Sequence, residues 1–528
     1  MMPARHQGLL RLFIACALPL LALQSAAAAD WQLEKVVELS RHGIRPPTAG
    51  NREAIEAATG RPWTEWTTHD GELTGHGYAA VVNKGRAEGQ HYRQLGLLQA
   101  GCPTAESIYV RASPLQRTRA TAQALVDGAF PGCGVAIHYV SGDADPLFQT
   151  DKFAATQTDP ARQLAAVKEK AGDLAQRRQA LAPTIQLLKQ AVCQADKPCP
   201  IFDTPWQVEQ SKSGKTTISG LSVMANMVET LRLGWSENLP LSQLAWGKIT
   251  QARQITALLP LLTENYDLSN DVLYTAQKRG SVLLNAMLDG VKPEANPNVR
   301  WLLLVAHDTN IAMVRTLMNF SWQLPGYSRG NIPPGSSLVL ERWRNAKSGE
   351  RYLRVYFQAQ GLDDLRRLQT PDAQHPMLRQ EWRQPGCRQT DVGTLCPFQA
   401  AITALGQRID RSSAPAVAMV LWCAEWRSPG TVHTPAHRSG EWRPLRRSPG
   451  SADECAPRCG PAARRYSVRC RLPGGWRWRP AAPAACCRSA PSWLSVLPAS
   501  PAVCDSSPRT GRPGDNRTGS GSAGYVRE

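Results

Sequence analysis

Three short apolar runs, each followed by polar residues, constrain the fold more than any other feature of the sequence. They are LEKVVELS at residues 33–40, ESIYVRAS at residues 106–113 and VRWLLLVA at residues 299–306. Their β-branched and other apolar residues are typical of strands buried in a sheet. The segments after the second and third runs, PLQRTRATAQALV and HDTNIAMVRTLM, have helical composition. Strands that alternate with helices predict an α/β fold, an open sheet with flanking helices.

Polar residues at the ends of these runs predict where a ligand binds. Open α/β sheets bind ligands at the carboxyl ends of their strands. Arg41 and His42 follow the first run, the polar residues of PLQRTRATAQALV follow the second, and His307 follows the third. We therefore expect these side chains to converge at one edge of the sheet.

The remainder of the body adds two features to this sheet. Residues 150–290 are mostly helical in pattern, as in PARQLAAVKEKAGDLAQRRQALAPTIQLLKQAV, which indicates an α-helical insertion. Further along, SSLVLERWR and YLRVYFQ are expected to pair as strands joined by the turn NAKSGE.

The N-terminus has the pattern of a signal peptide. Arg5 and Arg11 precede the apolar run at residues 12–23, and small residues up to Ala29 offer a cleavage site, so residues 1–29 are expected to be removed. The run is shorter than the roughly 20 residues that span a bilayer, which argues against a membrane anchor. A lipoprotein cleaved before Cys16 would have too little apolar sequence ahead of it. We expect a periplasmic protein with no membrane attachment.

Residues 411–528 form a tail of different composition. They hold 18 arginines, 15 prolines, seven cysteines and no lysine, without helical or strand periodicity. Arginines interleaved with tryptophans are one way to bind nucleic acid, but a GC-rich gene translated in the wrong frame has the same composition. The tail supplies +11 and the signal +2 of the net charge of +18, which leaves only +5 for residues 30–410. We therefore expect no nucleic-acid partner and interpret the tail as disordered or a frameshift product.

Six cysteines lie between the signal and the tail: Cys102, Cys133, Cys193, Cys199, Cys387 and Cys396. An even number in an exported protein favours disulfide bonds, and of the 15 possible connectivities, pairing in chain order is the simplest. A zinc site is the alternative. Spacings of 31, 6 and 9 residues without a CxxC motif make it the less favoured one.

The stretch SRHGIRPP at residues 40–47 sets Arg41, His42 and Arg45 close together, where positive charges repel unless an anion binds among them. Planar guanidinium groups match phosphate oxygens, and a neutral imidazole between them is a nucleophile that accepts a phosphoryl group. The alternative is a solvated basic turn on the surface. The position directly after a buried strand favours the phosphate site.

These residues resemble the R-H-G-x-R-x-P signature of the histidine acid phosphatases. The family's second motif, a His-Asp pair after a strand, is matched by His307 and Asp308, and its RTxAT helix start is matched by Arg117 rather than Arg119. The similarity spans residues 33–410 and points to the periplasmic bacterial branch of 4-phytases and glucose-1-phosphatases. DPLF at residues 145–148 and the three cysteine pairs belong to it.

The resemblance implies a phosphoglycerate-mutase-like open sheet and catalysis without a metal or other cofactor. His42 would be the nucleophile, and Asp308 would protonate the leaving alcohol before water releases phosphate from phosphohistidine. Four residues would hold the phosphoryl oxygens: Arg41, Arg45, Arg117 and His307. Because Asp308 must be protonated to act as an acid, we expect activity to peak at acidic pH.

The signals for the substrate are mixed. Thr48 matches a pocket residue of phytases, but Ala49 stands where these phytases often carry lysine. Met227 and Glu229 resemble the phytase M-x-x-E stretch with the glutamate one position early, and the alternative role for Met227 is in the core. LQRTRATAQ and AFPGC are more similar to glucose-1-phosphatases. We favour an acid phosphomonoesterase with activity on phytate over a sugar phosphatase.

Two other classes of protein compete with a phosphatase. A phosphoglycerate-mutase-like phosphotransferase shares the R-H-G start, but it usually takes its acid from a glutamate elsewhere and works in the cytosol. The signal peptide and the pair His307-Asp308 oppose it. A non-catalytic phosphate-binding protein would need the arginines but neither His42 nor Asp308. We expect a small-molecule phosphate ester as the ligand and a monomeric protein.

Overall fold

A computed structural model of the chain describes residues 30–211, 214 and 216–413. The expected signal peptide and all but the first three residues of the tail lie outside the described residues, so the expectations for them stay predictions. The described part lies within residues 1–431, one of the two units into which the chain divides. None of the helices described is long and apolar enough to cross a membrane.

The described part of the chain contains ten strands and thirteen α-helices. The strands are β1 (Trp31–Arg41), β2 (Ile108–Ala112), β3 (Val208–Gln210), β4 (Thr216–Ile218), β5 (Trp301–Ala306), β6 (Ser337–Asn345), β7 (Arg351–Ala359), β8 (Leu378–Glu381), β9 (Arg388–Thr390) and β10 (Gly393–Pro397). The helices are α1 (Ala49–Thr59), α2 (Gly75–Gln94), α3 (Gln116–Ala129), α4 (Pro160–Ala171), α5 (Leu174–Ala180), α6 (Ala182–Val192), α7 (Leu221–Ser236), α8 (Ala252–Leu258), α9 (Pro260–Leu268), α10 (Leu273–Val291), α11 (Asp308–Leu317), α12 (Leu362–Arg366) and α13 (Phe398–Gly406).

The main sheet brings the three predicted strands together. Its order is β2-β5-β1-β6-β7-β10-β9, with β8 also paired to β7. Strands β2, β5 and β1 run parallel, and β6 pairs antiparallel with β1. Arg41 pairs with Ala306 and Ala112 with Val305, so the three parallel strands end at the same level. The predicted convergence of their polar ends is therefore observed.

Side chains of β1 alternate between two cores on opposite faces of the sheet. Val37 and Leu39 lie in the core that includes α7, α10 and α11, whereas Leu33 and Val36 lie in the core that includes α2 and α3. Helices thus cover both faces of the sheet, which confirms the predicted fold class.

Several element boundaries differ from the prediction. The helix after the second run begins at Gln116 rather than at the proline two positions earlier. Residues 150–290 hold α4 to α10, as expected, but also the β3–β4 hairpin, which the pattern did not predict. Strands β8, β9 and β10 were missed as well, because three to five residues are too few to show a periodicity. The β6–β7 pair joined by NAKSGE was predicted correctly.

Three disulfide bonds join the six cysteines of the body in chain order, which confirms that expectation. They are Cys102–Cys133, Cys193–Cys199 and Cys387–Cys396. The first ties the segment before β2 to the turn after α3, and the third joins the end of β10 to the residue before β9. These six sulfurs are thereby used, so none of them is a thiolate ligand for zinc.

Candidate active site

The loop after β1, residues 42–47, forms the centre of the site, and hydrogen bonds to its backbone and its ring hold His42 within it. His42 N donates to Ala306 O, and His42 O accepts from Gly335 N, both at 3.0 Å. Its ring Nδ1 lies 2.8 Å from Gly43 O. Because a carbonyl oxygen only accepts, Nδ1 carries the proton and Nε2 keeps its lone pair. The fold thus presents the nitrogen that a nucleophile needs.

This loop packs directly against α2 and α3. Gly43 N donates to Thr121 Oγ1 at 2.9 Å, and Ile44 O accepts from Thr74 N at 3.1 Å. A Cβ atom on Gly43 would lie only 2.8 Å from Leu73 Cδ1, which explains the glycine of the R-H-G motif by packing. The loop is therefore fixed by its neighbours on α2 and α3.

Three arginines surround the imidazole. Arg41 is fully buried and donates to Ile332 O and to Glu229 Oε1, each at 2.5 Å. Arg45 donates to Pro46 O at 2.9 Å, and Arg117 donates to Gly71 O at 3.3 Å. The Nε atoms of all three arginines are buried without a hydrogen-bond partner among the described residues. An anion among these arginines would relieve their mutual repulsion and offer acceptors to their free N–H groups.

The charges around His42 determine its protonation state. Burial, together with the guanidinium groups of Arg45, Arg41 and Arg117, holds the pKa of His42 well below its usual range. Burial and Arg45 also lower the pKa of Arg117 to about 10, which is still high enough to keep that group charged. At acidic to neutral pH the site therefore combines a neutral imidazole with charged guanidinium groups.

Asp308 and His307 lie at the N-terminus of α11, opposite the end of β1. Asp308 Oδ2 accepts a hydrogen bond from Tyr266 at 2.6 Å and lies 3.4 Å from an Arg41 nitrogen. Burial would raise the pKa of Asp308, but Arg41, Tyr266 and Arg45 outweigh burial and hold it below its usual range. Burial and Arg117 lower the pKa of His307 to about 3, so this ring is neutral too.

The three proposed pocket residues lie in different surroundings. Thr48 immediately precedes α1 and lies beside Gly71, whose carbonyl group accepts from Arg117. Glu229 forms ion pairs with Arg41 and Arg232, which places it beside the arginines around His42. Met227 is fully buried in the apolar core, so its surroundings favour the core role that the sequence left open over a place in the pocket.

Comparison with known proteins identifies the family. A profile described as the histidine phosphatase superfamily (branch 2) matches residues 32–358. This chain is a histidine phosphatase. It is 29% identical over 385 residues to a glucose-1-phosphatase of Salmonella typhimurium, covering 70% of this chain and 90% of that protein. It is 26% identical over 410 residues to phytase AppA of Escherichia coli, covering 73% and 94%.

Two solved structures of phytases resemble this histidine phosphatase. The phytase of Klebsiella sp ASR1 matches at 97% identity with a TM-score of 0.73, covering 74% of this chain and 99% of that one. The Hafnia alvei phytase in complex with myo-inositol hexakis sulphate matches at 29% identity with a TM-score of 0.66, covering 74% and 100%. The chain is accordingly a hydrolase that acts on phosphate monoesters.

Several residues of the histidine phosphatase site were not predicted from the sequence. Tyr266 binds Asp308, Arg232 binds Glu229, and Ser113 and Gln149 contact His307. Ser113 had a usable signal, because it ends the second apolar run and lies at the same sheet edge as His42. The other three come from the helical insertion or the loop before it, where no motif marks them. Arg119, which the motif match passed over in favour of Arg117, has its guanidinium carbon 4.8 Å from the centroid of the Tyr139 ring.

Proposed function

We propose that this histidine phosphatase hydrolyses phytate through a phosphohistidine formed at His42. The observation that carries the mechanism is a buried, neutral imidazole whose Nε2 is free, placed among Arg41, Arg45 and Arg117. The 97% identity to the Klebsiella phytase supports phytate as the substrate over glucose 1-phosphate. It outweighs the mixed signals at Thr48 and in the LQRTRATAQ stretch.

The first step transfers the phosphoryl group to the enzyme. His42 Nε2 forms a bond to phosphorus while the bond from phosphorus to the leaving oxygen breaks, and Asp308 gives its proton to that oxygen. The phosphoryl oxygens lie against Arg41, Arg45 and Arg117, whose fixed positive charges stabilise the transition state. His307 adds a neutral donor to the same group.

The second step releases phosphate. A water molecule attacks phosphorus, the phosphorus–nitrogen bond to His42 breaks, and Asp308 accepts a proton from the water. His42 then regains its neutral form with the proton on Nδ1. Because Asp308 first acts as an acid and then as a base, each turnover returns it to its starting state.

The pH dependence follows from the two ionisable partners. Asp308 is ionised in the free site, so a proton must arrive with the substrate. A phosphate monoester keeps its second proton below about pH 6, and its negative charge also offsets the arginines that lower the pKa of Asp308. His42 stays neutral at this pH because its pKa lies well below the usual range. Activity therefore peaks at acidic pH and falls as pH rises above about 6.

The test compares two substrates with and without the nucleophile. Phosphate release from phytate and from glucose 1-phosphate is measured on the full chain at about pH 5 with EDTA. We expect phytate to be the better substrate and His42→Ala to lower turnover by at least about 10³-fold. The exposed residue His69 supplies the matched control, His69→Ala, which retains activity. A preference for glucose 1-phosphate would establish the sugar phosphatase instead, and turnover by His42→Ala would refute the mechanism.

We also propose that residues 1–29 direct export to the periplasm and that the protein is a monomer. The three disulfide bonds support an oxidising compartment. Cell fractionation, N-terminal sequencing and light scattering of the secreted protein test both points.

A further inference from the structure

The segment at residues 145–149 is linked to both the ring and the backbone of His307, although the family resemblance implied no role for the DPLF stretch within it. Ser113 Oγ lies 3.0 Å from His307 Nε2, and Gln149 Nε2 lies 2.8 Å from Ser113 Oγ and 3.3 Å from His307 Nε2. The Gln149 amide group thus contacts both the imidazole and the hydroxyl group beside it.

The same segment also holds the backbone of His307. Asn310 Nδ2 donates to Phe148 O at 2.9 Å, and Asn310 Oδ1 accepts from His307 N at 3.2 Å. The ring and the main chain of His307 are therefore connected to two adjacent residues, Phe148 and Gln149.

The segment is itself fixed to the central sheet. Arg111 on β2 donates two hydrogen bonds to the buried carboxylate of Asp145, each at 3.0 Å. Asp145 Oδ1 accepts from Leu147 N at 2.8 Å, and Asp145 N donates to Gln149 Oε1 at 2.9 Å. The last contact sets which end of the Gln149 amide faces His307. Hydrogen bonds thus run without a gap from β2 to the imidazole.

We infer that Gln149 and Ser113 are positioning residues that orient the His307 ring toward the phosphoryl group. This inference rests on the proposed function, in which His307 holds a phosphoryl oxygen. A neutral imidazole donates through one N–H group only, so its contribution depends on the direction of the ring. A carboxylate or an ammonium group would tolerate rotation better.

Gln149→Leu removes the amide contacts while keeping a side chain of similar size. We expect kcat/KM for phytate to fall by about 10–100-fold, because displaced supporting groups cost that much at other sites. Inhibition by inorganic phosphate weakens in parallel. Gln157→Leu, an exposed position in the same region of the chain, is the matched control and retains activity.

A double-mutant cycle separates positioning from a general structural role. If Gln149 acts through His307, adding Gln149→Leu to His307→Ala lowers kcat/KM by less than about 2-fold, whereas independent effects would multiply. Ser113→Ala, tested in the same two backgrounds, gives the same pattern and provides a second route if Gln149→Leu folds poorly.

Three outcomes overturn the inference. The first is wild-type kcat/KM for both Gln149→Leu and Ser113→Ala, and the second is a loss of kcat/KM that multiplies in the His307→Ala background. The third is a loss of kcat/KM in Gln149→Leu no larger than that in Gln157→Leu. His42→Ala is measured alongside. If it retains turnover, the proposed function fails by itself. If it is inactive and the cycle is additive, only the positioning role fails.

Discussion

Substitution of Gly77 tests how closely the fold of α2 is tied to catalysis. Gly77 is the third residue of α2, and a Cβ atom there would lie 2.5 Å from Ile44 O and 2.9 Å from Ile44 N. Both are backbone atoms of the loop that carries His42, so no side-chain rotation relieves the contact. For Ile44 O to reach an ordinary contact of 3.4 Å, the loop or the helix must move by about 0.9 Å.

The expected cost of Gly77→Ala follows from that displacement. Overpacking of this kind costs roughly 1–3 kcal/mol, and the better helix propensity of alanine offsets about 1 kcal/mol of it, so stability falls by about 0–2 kcal/mol. A shift near 1 Å in the position of a nucleophile costs about 100-fold in rate. We therefore expect kcat/KM for phytate to fall about 100-fold while the melting temperature drops by only a few degrees.

Gly75→Ala is the matched control, because a Cβ atom at this position of the same helical turn meets nothing within 4 Å. It retains full activity and wild-type or slightly higher stability. The assay is phosphate release at about pH 5, with thermal melting of the same samples. Wild-type kcat/KM for Gly77→Ala would refute the claim that α2 sets the position of the loop.

Three further predictions concern charged groups. Arg117→Ala removes a charge-assisted contact of about 1.5–3 kcal/mol and lowers kcat/KM roughly 10–100-fold, whereas Arg119→Ala keeps it within about 2-fold; equal losses would contradict the assignment. Asp308→Asn lowers kcat for phytate by about 10²–10⁴-fold but far less for an aryl phosphate, whose leaving group needs no proton; equal losses would exclude Asp308 as the acid. Burial and the nearby Glu38 raise the pKa of Glu88 in the folded state. The protonated Glu88 carboxyl group therefore stabilises the fold below its unfolded-state pKa, and this stabilisation is lost as pH rises through its folded-state pKa. Raising the pH from about 5 to about 9 should therefore lower the melting temperature of the wild type more than that of Glu88→Gln. An equal fall of the melting temperature in both proteins would contradict this.

The parts of the site that the sequence predicted are those whose residues are adjacent in the chain or end a strand. Arg41, His42 and Arg45 lie within five consecutive residues, so their joint chemistry can be inferred without a structure. His307 was found because an apolar run precedes it and parallel strands end at one edge, whereas Arg117 was found by its match to the RTxAT helix start. The same rule applies to Ser113, which follows β2, although Ser113 was not predicted as a site residue.

Other contacts in the site depend on tertiary packing, and no local pattern in the sequence predicts them. Tyr266 lies 42 residues before Asp308 in a helical region, and only the packing of α9 brings its hydroxyl group to the carboxylate. Gln149 lies in a loop with no periodicity. Met227 shows the opposite case, because a motif resemblance suggested a pocket role for a side chain that the fold buries in the core. The pKa of Asp308 likewise depends on neighbours that come together only in the folded chain.

The central claim is a covalent phosphohistidine at His42, and rapid-quench trapping with a ³²P-labelled phosphomonoester tests it most directly. The reaction is stopped in alkali, where phosphohistidine survives, and the labelled peptide is mapped. We predict a burst of alcohol release, with label on the peptide that contains His42 and none in His42→Ala. Full turnover without a burst and without label on that peptide would show that water attacks the substrate directly, and would contradict the mechanism.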